Sequence, residues 1–356
     1  MIKSDIKICY LGIYRPTAPR DKVYLEGLKT RGVSVIECVD SSPGLYKFWR
    51  LFKKHRQFKS KYDILWVGYL STMLVPLARI ISRKKIVFNA LSSGYESAVL
   101  DREMHSRFSL KAVTSWLFDF LAFHISDFVL VESESQKKFL AKSFFVRPSK
   151  FAVIFTGADP EVFFPDPTVA KRERFTVVFR GMFLPATGVE YVIEAARILR
   201  NELIDFIIIG WGPELPKVRS LLAEYKLPNV TLMAEFLEPK ALRELILSCH
   251  IMLGQFSDHP RLERTIQHKT FEALALGMPY ITRDSASNRE LLIDGKNCVF
   301  VPAAKPQAIA NSIIDLKRKE DFRRNIGMEA RLTYSQKLTP KILAEQLALV
   351  VFENKA

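Results

Sequence analysis

The fold of this chain is decided by one stretch of its second half, which reads His268-Lys269-Thr270-Phe271-Glu272-Ala273-Leu274-Ala275-Leu276-Gly277-Met278-Pro279-Tyr280-Ile281-Thr282. Its apolar residues recur at the spacing of one helix face, and a glycine followed two residues later by a proline is typical of a helix end. The apolar segment Tyr280–Thr282 then has the character of a short strand. The stretch predicts a helix that packs on a sheet and leads directly into its next strand.

One carboxylate of this stretch, that of Glu272, lies in the first turns of the predicted helix. A helix N-terminus attracts anions, and a carboxylate beside one is well placed to accept hydrogen bonds from sugar hydroxyls. The alternative is a capped surface helix that does no more than cover a sheet.

Strands and helices alternate on both sides of this stretch, which is typical of parallel sheets covered on both faces. A segment with three prolines, Asp159–Pro167, interrupts the alternation and reads as a linker. We therefore predict two α/β domains, residues 1–160 and residues 168–337, followed by a C-terminal helix within residues 338–356. Doubly wound sheets bind ligands at the carboxyl ends of their strands, so a cleft between the two domains is the expected site.

The composition, 48% hydrophobic and 26% charged residues over 356 positions, is that of a folded protein. The four cysteines have no metal-type spacing and are most simply buried free thiols, which favours a cytoplasmic location. The net charge of +15 is uneven, since residues 1–165 carry 26 Lys and Arg against 15 Asp and Glu. This excess predicts an anionic partner of the first domain.

The sequence Lys-Thr-Phe-Glu-Ala-Leu-Ala-Leu-Gly-Met-Pro closely resembles the nucleotide-binding segment of retaining GT-B glycosyltransferases of family 4. Other motifs similar to those of that family occur at Gly157-Ala158-Asp159, Arg180-Gly181, Gly210-Trp211-Gly212-Pro213 and Glu290–Gly295. The resemblance implies an α/β GT-B fold with two doubly wound Rossmann-like domains facing a cleft. The first would bind the acceptor, the second would bind the nucleotide-sugar donor, and the tail helix would pack back on the first.

The resemblance also implies roles for residues of the second domain, with Glu272 holding the ribose of the donor. The diphosphate would lie near the start of the helix and near two glycine turns, which adds His268, Lys269, Thr270, Gly181, Gly210 and Gly212 to the donor site. Retaining transferases of this type need no metal and no cofactor, and the histidines show no metal-binding spacing.

The sequence departs from the family at the diphosphate site, where many members carry an arginine after the first glycine and a lysine before the second. Met182 or Phe183, and Thr187, stand at these places. Arg180 and Lys269 are the candidates to replace the lost charges in catalysis, although Arg180 at a strand end fits a structural ion pair equally well.

A second departure concerns the family's paired glutamates, of which the first precedes the second by eight positions. Counting back from Glu272 gives Arg264, with Glu263 one position earlier. Either Glu263 takes the catalytic role after a one-residue shift, or Arg264 faces the donor.

Several residues of the first domain are also candidates for the site. Gly12 follows the first strand, where a glycine lets the backbone approach a ligand closely, and it is a candidate to contact the nucleotide sugar. Arg15 and Arg20 come next as candidates to hold an acceptor phosphate. The alternative is that both arginines lie on a loop with their charges exposed to solvent. Asn89 ends the fourth strand, at the place where many relatives have a histidine that touches the transferred sugar.

The long polar loop after this strand carries Glu96 and Asp101. Either carboxylate is a candidate to orient or deprotonate an acceptor hydroxyl. The alternative is that they cap helix starts.

The segment Leu45–Lys61 holds seven Lys and Arg and no acidic residue. Leu45, Phe48, Trp49 and Phe52 follow the spacing of one helix face. Such a helix suits an anionic membrane surface, while the alternative is an apolar face that covers the sheet. No nucleic-acid-binding module is recognised, so nucleic acid is not an expected partner.

These features favour a retaining glycosyltransferase that moves a sugar from a nucleotide-diphosphate sugar to a lipid-linked or glycan acceptor, in cell-surface polysaccharide or glycolipid assembly. We expect it to be cytoplasmic and peripheral on the inner face of the cell membrane. The lost cations leave two alternatives, a catalytically silent GT-B partner protein at the membrane and a sugar-nucleotide epimerase.

Overall fold

The structure, a computed structural model, describes residues 6–16, 19–102 and 104–353. The chain divides into two compact units, Met1–Gly157 with Leu338–Ala356, and Ala158–Lys337. The division falls at Gly157, just before the segment predicted as a linker, because Ala158 and the residues after it pack with the second unit.

The first unit is built on six parallel strands in the order β2-β1-β3-β4-β5-β6. Its strands are β1 (Lys7–Gly12), β2 (Ser34–Val39), β3 (Ile64–Val67), β4 (Lys85–Leu91), β5 (Phe128–Val131) and β6 (Phe151–Val153). The helices between them are α1 (Pro19–Lys29), α2 (Tyr46–Arg56), α3 (Leu74–Ile81), α4 (Leu110–Ile125) and α5 (Glu134–Ser143).

Helices cover both faces of this sheet. From β2 onward the chain moves across the sheet in one direction, and right-handed crossovers put α2 to α5 on one face and α1 on the other. Leu51, Ala122 and Leu140 share the core of the first face, whereas Val23 of α1 lies in the core of the second. The strand residues are buried on both sides, which explains their continuous apolar runs.

The second unit repeats this design with the strand order β12-β11-β10-β7-β8-β9. Its strands are β7 (Phe175–Arg180), β8 (Ile204–Ile209), β9 (Val230–Met233), β10 (Ile251–Leu253), β11 (Tyr280–Arg283) and β12 (Val299–Val301). Its helices are α6 (Val189–Ile198), α7 (Leu215–Tyr225), α8 (Pro239–Ser248), α9 (His268–Leu276), α10 (Pro306–Arg318) and α11 (Glu320–Lys337). The predicted α/β class with two doubly wound sheets is therefore confirmed.

The direction of winding reverses in the second unit between β7 and β10, which are neighbours in the sheet. The chain moves outward from β7 through β8 and β9, then returns to β10 and moves outward on the other side. Such a reversal leaves a crevice at the carboxyl ends of the two central strands, where ligands of these sheets bind. The segment after β7 and the helix α9, which follows β10, both begin at this crevice.

The chain returns to the first unit after α11. Its last long helix, α12 (Pro340–Ala348), packs on α1, and Leu343 and Leu347 complete the core on that face of the first sheet. Gly27 of α1 permits the contact, because a Cβ atom there would lie 2.1 Å from the carbonyl oxygen of Pro340.

None of the helices in the described residues has both the length and the apolar character needed to cross a bilayer. All four cysteines are buried and carry free thiols.

Candidate functional site

An ion pair spans the crevice of the second unit. Arg180, the last residue of β7, donates from Nη1 to Oε2 of Glu272 on α9. The Arg180 side chain is 27% exposed and that of Glu272 is 10% exposed, so the pair lies at the rim of the crevice. Arg180 therefore belongs to an ion pair, as one of its two interpretations predicts, and its partner is the carboxylate predicted to hold a ribose.

Lys269 lies three residues before Glu272 on α9, and its side chain packs against Gly181 in the turn after β7. Its Nζ atom lies 3.8 Å from the centre of the Phe179 ring and is buried, and among the described residues it has no hydrogen-bond partner. Burial lowers the pKa of Lys269 well below its usual value, the Arg180 guanidinium lowers it further, and the Glu272 carboxylate opposes this in part.

The glycine turns of the site are closely interlocked. A Cβ atom on Gly210 would lie 1.9 Å from the carbonyl oxygen of Gly181, and one on Gly212 would lie 2.5 Å from that of Phe183. Gly181 is hydrogen-bonded through its N–H to Ile209, at 2.9 Å. The space that these glycines leave is therefore filled by the protein itself, which joins the turn after β7 to the turn after β8.

A pocket of about 250 Å³ opens beside the ion pair. Its walls come from the ends of three neighbouring strands and from α8: Arg180, Gly181, Met182, Ile209, Gly210, Trp211, Glu235, Phe236, Leu237 and Leu242. Trp211 and Phe236 are 49% and 71% exposed, so two aromatic side chains stand at the pocket. Sequence reasoning missed Glu235 and Phe236, although they follow β9 directly at the same edge of the sheet.

The positions that carry cations in the family have no charge here and two of them are closed to a ligand. Phe183 is fully buried and stacks near Phe179. Thr187 is 2% exposed, and its hydroxyl donates to the carbonyl oxygen of Leu184 at 2.7 Å. Met182 is 43% exposed and lines the pocket. Arg180, Lys269 and Glu272 carry charges close to this turn, and Glu235 adds a carboxylate to the pocket.

Glu263, the candidate for the first paired glutamate, has other partners. Its Oε1 atom accepts from Arg283, and its Oε2 atom accepts from the N–H of Ala286 at 3.1 Å. Arg283 is buried and also donates to the carbonyl oxygen of Ser257 at 2.7 Å. Glu263 thus fastens a short 3-10 turn, Pro260–Glu263, to the loop after β11.

The remaining donor-site candidates surround the start of α9. His268 and Arg264 are half-buried. Thr270 is buried, and its hydroxyl is 3.0 Å from that of Tyr280. This contact gives the Thr270 hydroxyl a partner inside the unit.

In the first unit, Arg20 and Asn89 belong to one buried polar network. Arg20 donates from Nε to Oδ1 of Asn89 at 2.7 Å and from Nη1 to Thr156 at 2.8 Å. Asn89 donates to Asp21 at 2.6 Å, and Asp21 also accepts from the hydroxyl of Tyr10 at 2.8 Å. Arg20 is only 1% exposed, so the prediction of a solvated loop charge is wrong, and its guanidinium ties the unit together from inside.

The loop after β4 is also less open than predicted. Glu96 and Asp101 bound a short π-helix, Glu96–Asp101, and both carboxylates are buried. Glu96 accepts from Nε2 of Gln136 at 2.7 Å, while its backbone N–H is capped by Ser93. An acceptor hydroxyl would need a rearrangement of this loop to reach either carboxylate.

The first strand ends close to the buried polar network that contains Tyr10, Asp21 and Asn89. A Cβ atom on Gly12 would lie 2.7 Å from the ring of Tyr10, so this glycine accommodates a neighbouring side chain. Arg15 is exposed and lines a shallow pocket with Lys22 and Glu37.

Helix α2 turns an apolar and basic side outward. Leu45 before it, Trp49 and Phe52 are 76%, 45% and 37% exposed. Its buried residues are Leu51 and His55, which cover the sheet. The alternative that the face of Leu45, Phe48, Trp49 and Phe52 covers the sheet is therefore wrong for the three exposed side chains, whereas Phe48 does pack against the core of the sheet.

Residues 163–333 match the family described as Glycosyl transferases group 1. An uncharacterized glycosyltransferase of Methanocaldococcus jannaschii is 22% identical over 297 residues, which cover 80% of this chain and 73% of that protein. The UDP-Gal:alpha-D-GlcNAc-diphosphoundecaprenol alpha-1,3-galactosyltransferase of Escherichia coli is 28% identical over 197 residues, 51% of this chain and 47% of the enzyme.

Among solved structures, Anabaena HepE in complex with UDP and glucose superposes with a TM-score of 0.75. The superposition covers 98% of this chain and all of HepE at 17% sequence identity. At this identity the likeness establishes the fold, which is the GT-B fold predicted from the sequence.

Proposed function

We propose that this protein, whose residues 163–333 match the family described as Glycosyl transferases group 1, is a retaining glycosyltransferase that moves a sugar from a UDP-sugar to a lipid-linked or glycan acceptor. The reaction would serve the assembly of cell-surface polysaccharide or glycolipid. The base is suggested by the UDP bound to HepE, and a lipid-linked acceptor is suggested by the diphosphoundecaprenol of the Escherichia coli relative.

The observation that carries this proposal is the group of Arg180, Lys269 and Glu272 at the winding reversal of the second sheet. Two cations and one carboxylate suit a nucleoside diphosphate, because the cations face phosphate oxygens and the carboxylate accepts from ribose hydroxyls. The pocket at Trp211 and Phe236 adjoins this group and offers aromatic faces to a base.

In the proposed reaction, these residues hold the donor and neutralise its leaving group. Arg180 exchanges Glu272 for a phosphate oxygen, and Glu272 then accepts from the ribose. As the bond between the sugar and the diphosphate breaks, negative charge grows on the leaving phosphate, where Arg180 and Lys269 stabilise it electrostatically. No step calls for a metal ion, and we expect activity to persist in excess EDTA.

The first experiment is a thermal-shift screen of UDP, GDP, dTDP and ADP. A ligand that binds only the folded protein raises its melting temperature, and UDP should do so most. Radiolabelled UDP-sugars with lipid-linked and oligosaccharide acceptors then test transfer, and NMR of the product tests whether the anomeric configuration is retained. An altered sugar nucleotide formed without acceptor would instead identify an epimerase.

A catalytically silent partner protein is the second candidate, favoured by one observation. The buried Phe183 and Thr187 leave no cation in the turn where the family neutralises its leaving group. UDP binding without transfer to any acceptor would support this candidate over the enzyme.

We further propose that the first unit docks on an anionic membrane through Leu45–Lys61. Lys53 and Arg56 are exposed beside Trp49 and Phe52, so the outer side of α2 joins positive charge to apolar area. The neighbouring helix α3 extends the apolar area, with Ile80 78% exposed. This surface would bring the enzyme to a lipid-linked acceptor.

A further inference from the structure

The position of the Lys269 ammonium is energetically unfavourable. It is buried, and the part of the chain that the structure describes gives its Nζ atom no hydrogen-bond acceptor. It rests on the ring of Phe179 and against the bare backbone of Gly181. A buried charged donor without an acceptor is unfavourable, and its contact with an aromatic ring offsets part of this cost.

Two charged groups face Lys269, one from each element packed around it. Arg180 on β7 repels it, and Glu272 on α9 attracts it. The attraction is weakened because Glu272 is already paired with Arg180. The positive form of Lys269 therefore lacks both solvent and a dedicated counter-ion, and a lysine in this position gives up its proton readily.

A diphosphate that enters beside Arg180 would change both conditions. Its oxygens would supply the missing acceptor and a negative charge within the reach of Nζ. Arg180 would turn to the same phosphates and release Glu272, which increases the negative charge around Lys269 once more. Each of these changes favours the ammonium over the neutral amine.

We propose that binding of a nucleoside diphosphate is coupled to the uptake of a proton by Lys269. The neutral amine forms an N–H bond with a proton taken from solvent, and the resulting ammonium donates to a diphosphate oxygen. Release of the nucleotide after transfer returns the proton to solvent. The inference rests on the proposed function, because it assumes that a diphosphate binds next to Arg180 and Glu272.

Proton uptake makes nucleotide affinity depend on pH. Affinity is highest where Lys269 is protonated even without ligand. It falls as pH rises through the interval between the pKa of Lys269 in the free protein and its higher pKa in the complex, by up to about tenfold per pH unit. Above pH 8 the terminal phosphate of UDP, with a pKa of about 6, is fully ionised.

The test is calorimetric titration of the full chain with UDP at pH 8, in phosphate and in Tris buffers. The two buffers release protons with different enthalpies, so the difference in binding enthalpy counts the protons taken up. We expect a net uptake of protons by the parent protein. Lys269→Met keeps the length and the contact with Phe179 but cannot be protonated, and should bind UDP more weakly with uptake near zero.

Lys319→Met is the matched control, because Lys319 is an exposed lysine beyond α10 that pairs with Asp315. It should take up as many protons as the parent. Binding of UDP without proton uptake by the parent would overturn the inference and leave the proposed function intact. Equal uptake by parent and Lys269→Met would assign the proton to another group and overturn it too. If UDP does not bind at all, both proposals fail.

Discussion

Lys269 lies directly across Gly181, so closely that a Cβ atom on Gly181 would come within 3.0 Å of Nζ and 3.2 Å of Cε. The bare backbone of the turn after β7 thus makes room for a lysine from α9. The glycine and the lysine come from two segments that both resemble the family's donor site. In this chain the two segments pack against each other. The cation of Lys269 therefore lies beside a turn that has no charge at Phe183 and Thr187.

The buried Lys269 Nζ predicts that the donor site lowers the free energy of unfolding of the second unit. In the absence of nucleotide, Lys269→Met should raise the free energy of unfolding of the second unit by about 1–3 kcal/mol, because an apolar side chain of similar shape removes the unsatisfied donor. Urea unfolding near pH 7, followed by tryptophan fluorescence, measures the change. A lower stability than that of the parent would show that the ammonium is well compensated.

The same variant gives a prediction for pH. The pKa of Lys269 is lowered in the folded protein from its ordinary value of 10.5, so the unfolded chain binds more protons between the two values. The stability of the parent should rise with pH in this interval as the unfolded lysine also loses its proton. The advantage of Lys269→Met over the parent should therefore shrink between pH 7 and pH 9, whereas a constant difference would contradict the lowered pKa.

Glu272 is the residue on which nucleotide recognition should depend most. Glu272→Ala removes the acceptor proposed for the ribose, and a lost hydrogen bond to a charged group weakens binding by about 1.5–3 kcal/mol. Calorimetric titration with UDP measures the loss, and circular dichroism confirms that the fold is kept. Parental affinity in a folded variant would remove Glu272 from the site.

Arg180 should matter more for turnover than for binding of the acceptor. Losing a positioned donor that stabilises developing charge lowers turnover by about 100- to 1000-fold. We expect Arg180→Ala to lower kcat to this extent while the KM for the acceptor stays close to that of the parent. An unchanged kcat would shift the role to another cation such as Arg264.

The secondary structure was largely predictable from the sequence, and the partners of the charged side chains were not. The apolar segment Tyr280–Thr282 and the glycine and proline before it specify their elements locally, and the structure has the end of α9 and the start of β11 where the sequence predicts them. Arg180 and Glu272 are 92 positions apart, and nothing local specifies that they meet. Arg20 and Glu96 were expected on loops because charged residues are rarely buried, yet polar networks hold both inside.

The last prediction concerns the surface Leu45–Lys61. The structure distinguishes basic side chains that make hydrogen bonds within the first unit from those that are exposed. Arg50 is fixed by Asp40 at 2.6 Å, and Lys54 donates to the carbonyl oxygen of Val39 at 3.3 Å. Lys53 and Arg56 are exposed, and each contributes about 1 kcal/mol near an anionic bilayer. The double variant Lys53→Gln with Arg56→Gln should therefore bind phosphatidylserine vesicles about 30-fold more weakly.

The matched control changes Lys29 and Lys341 to glutamine. These exposed residues lie on α1 and α12, which cover the opposite face of the same sheet. The control has the same net charge as the test variant, so a loss caused by overall charge would appear in both, whereas docking through α2 predicts parental binding by the control. High salt should release the parent protein as well, because it screens exposed charges. Equal binding of both variants in a vesicle sedimentation assay would mean that α2 does no more than cover the sheet.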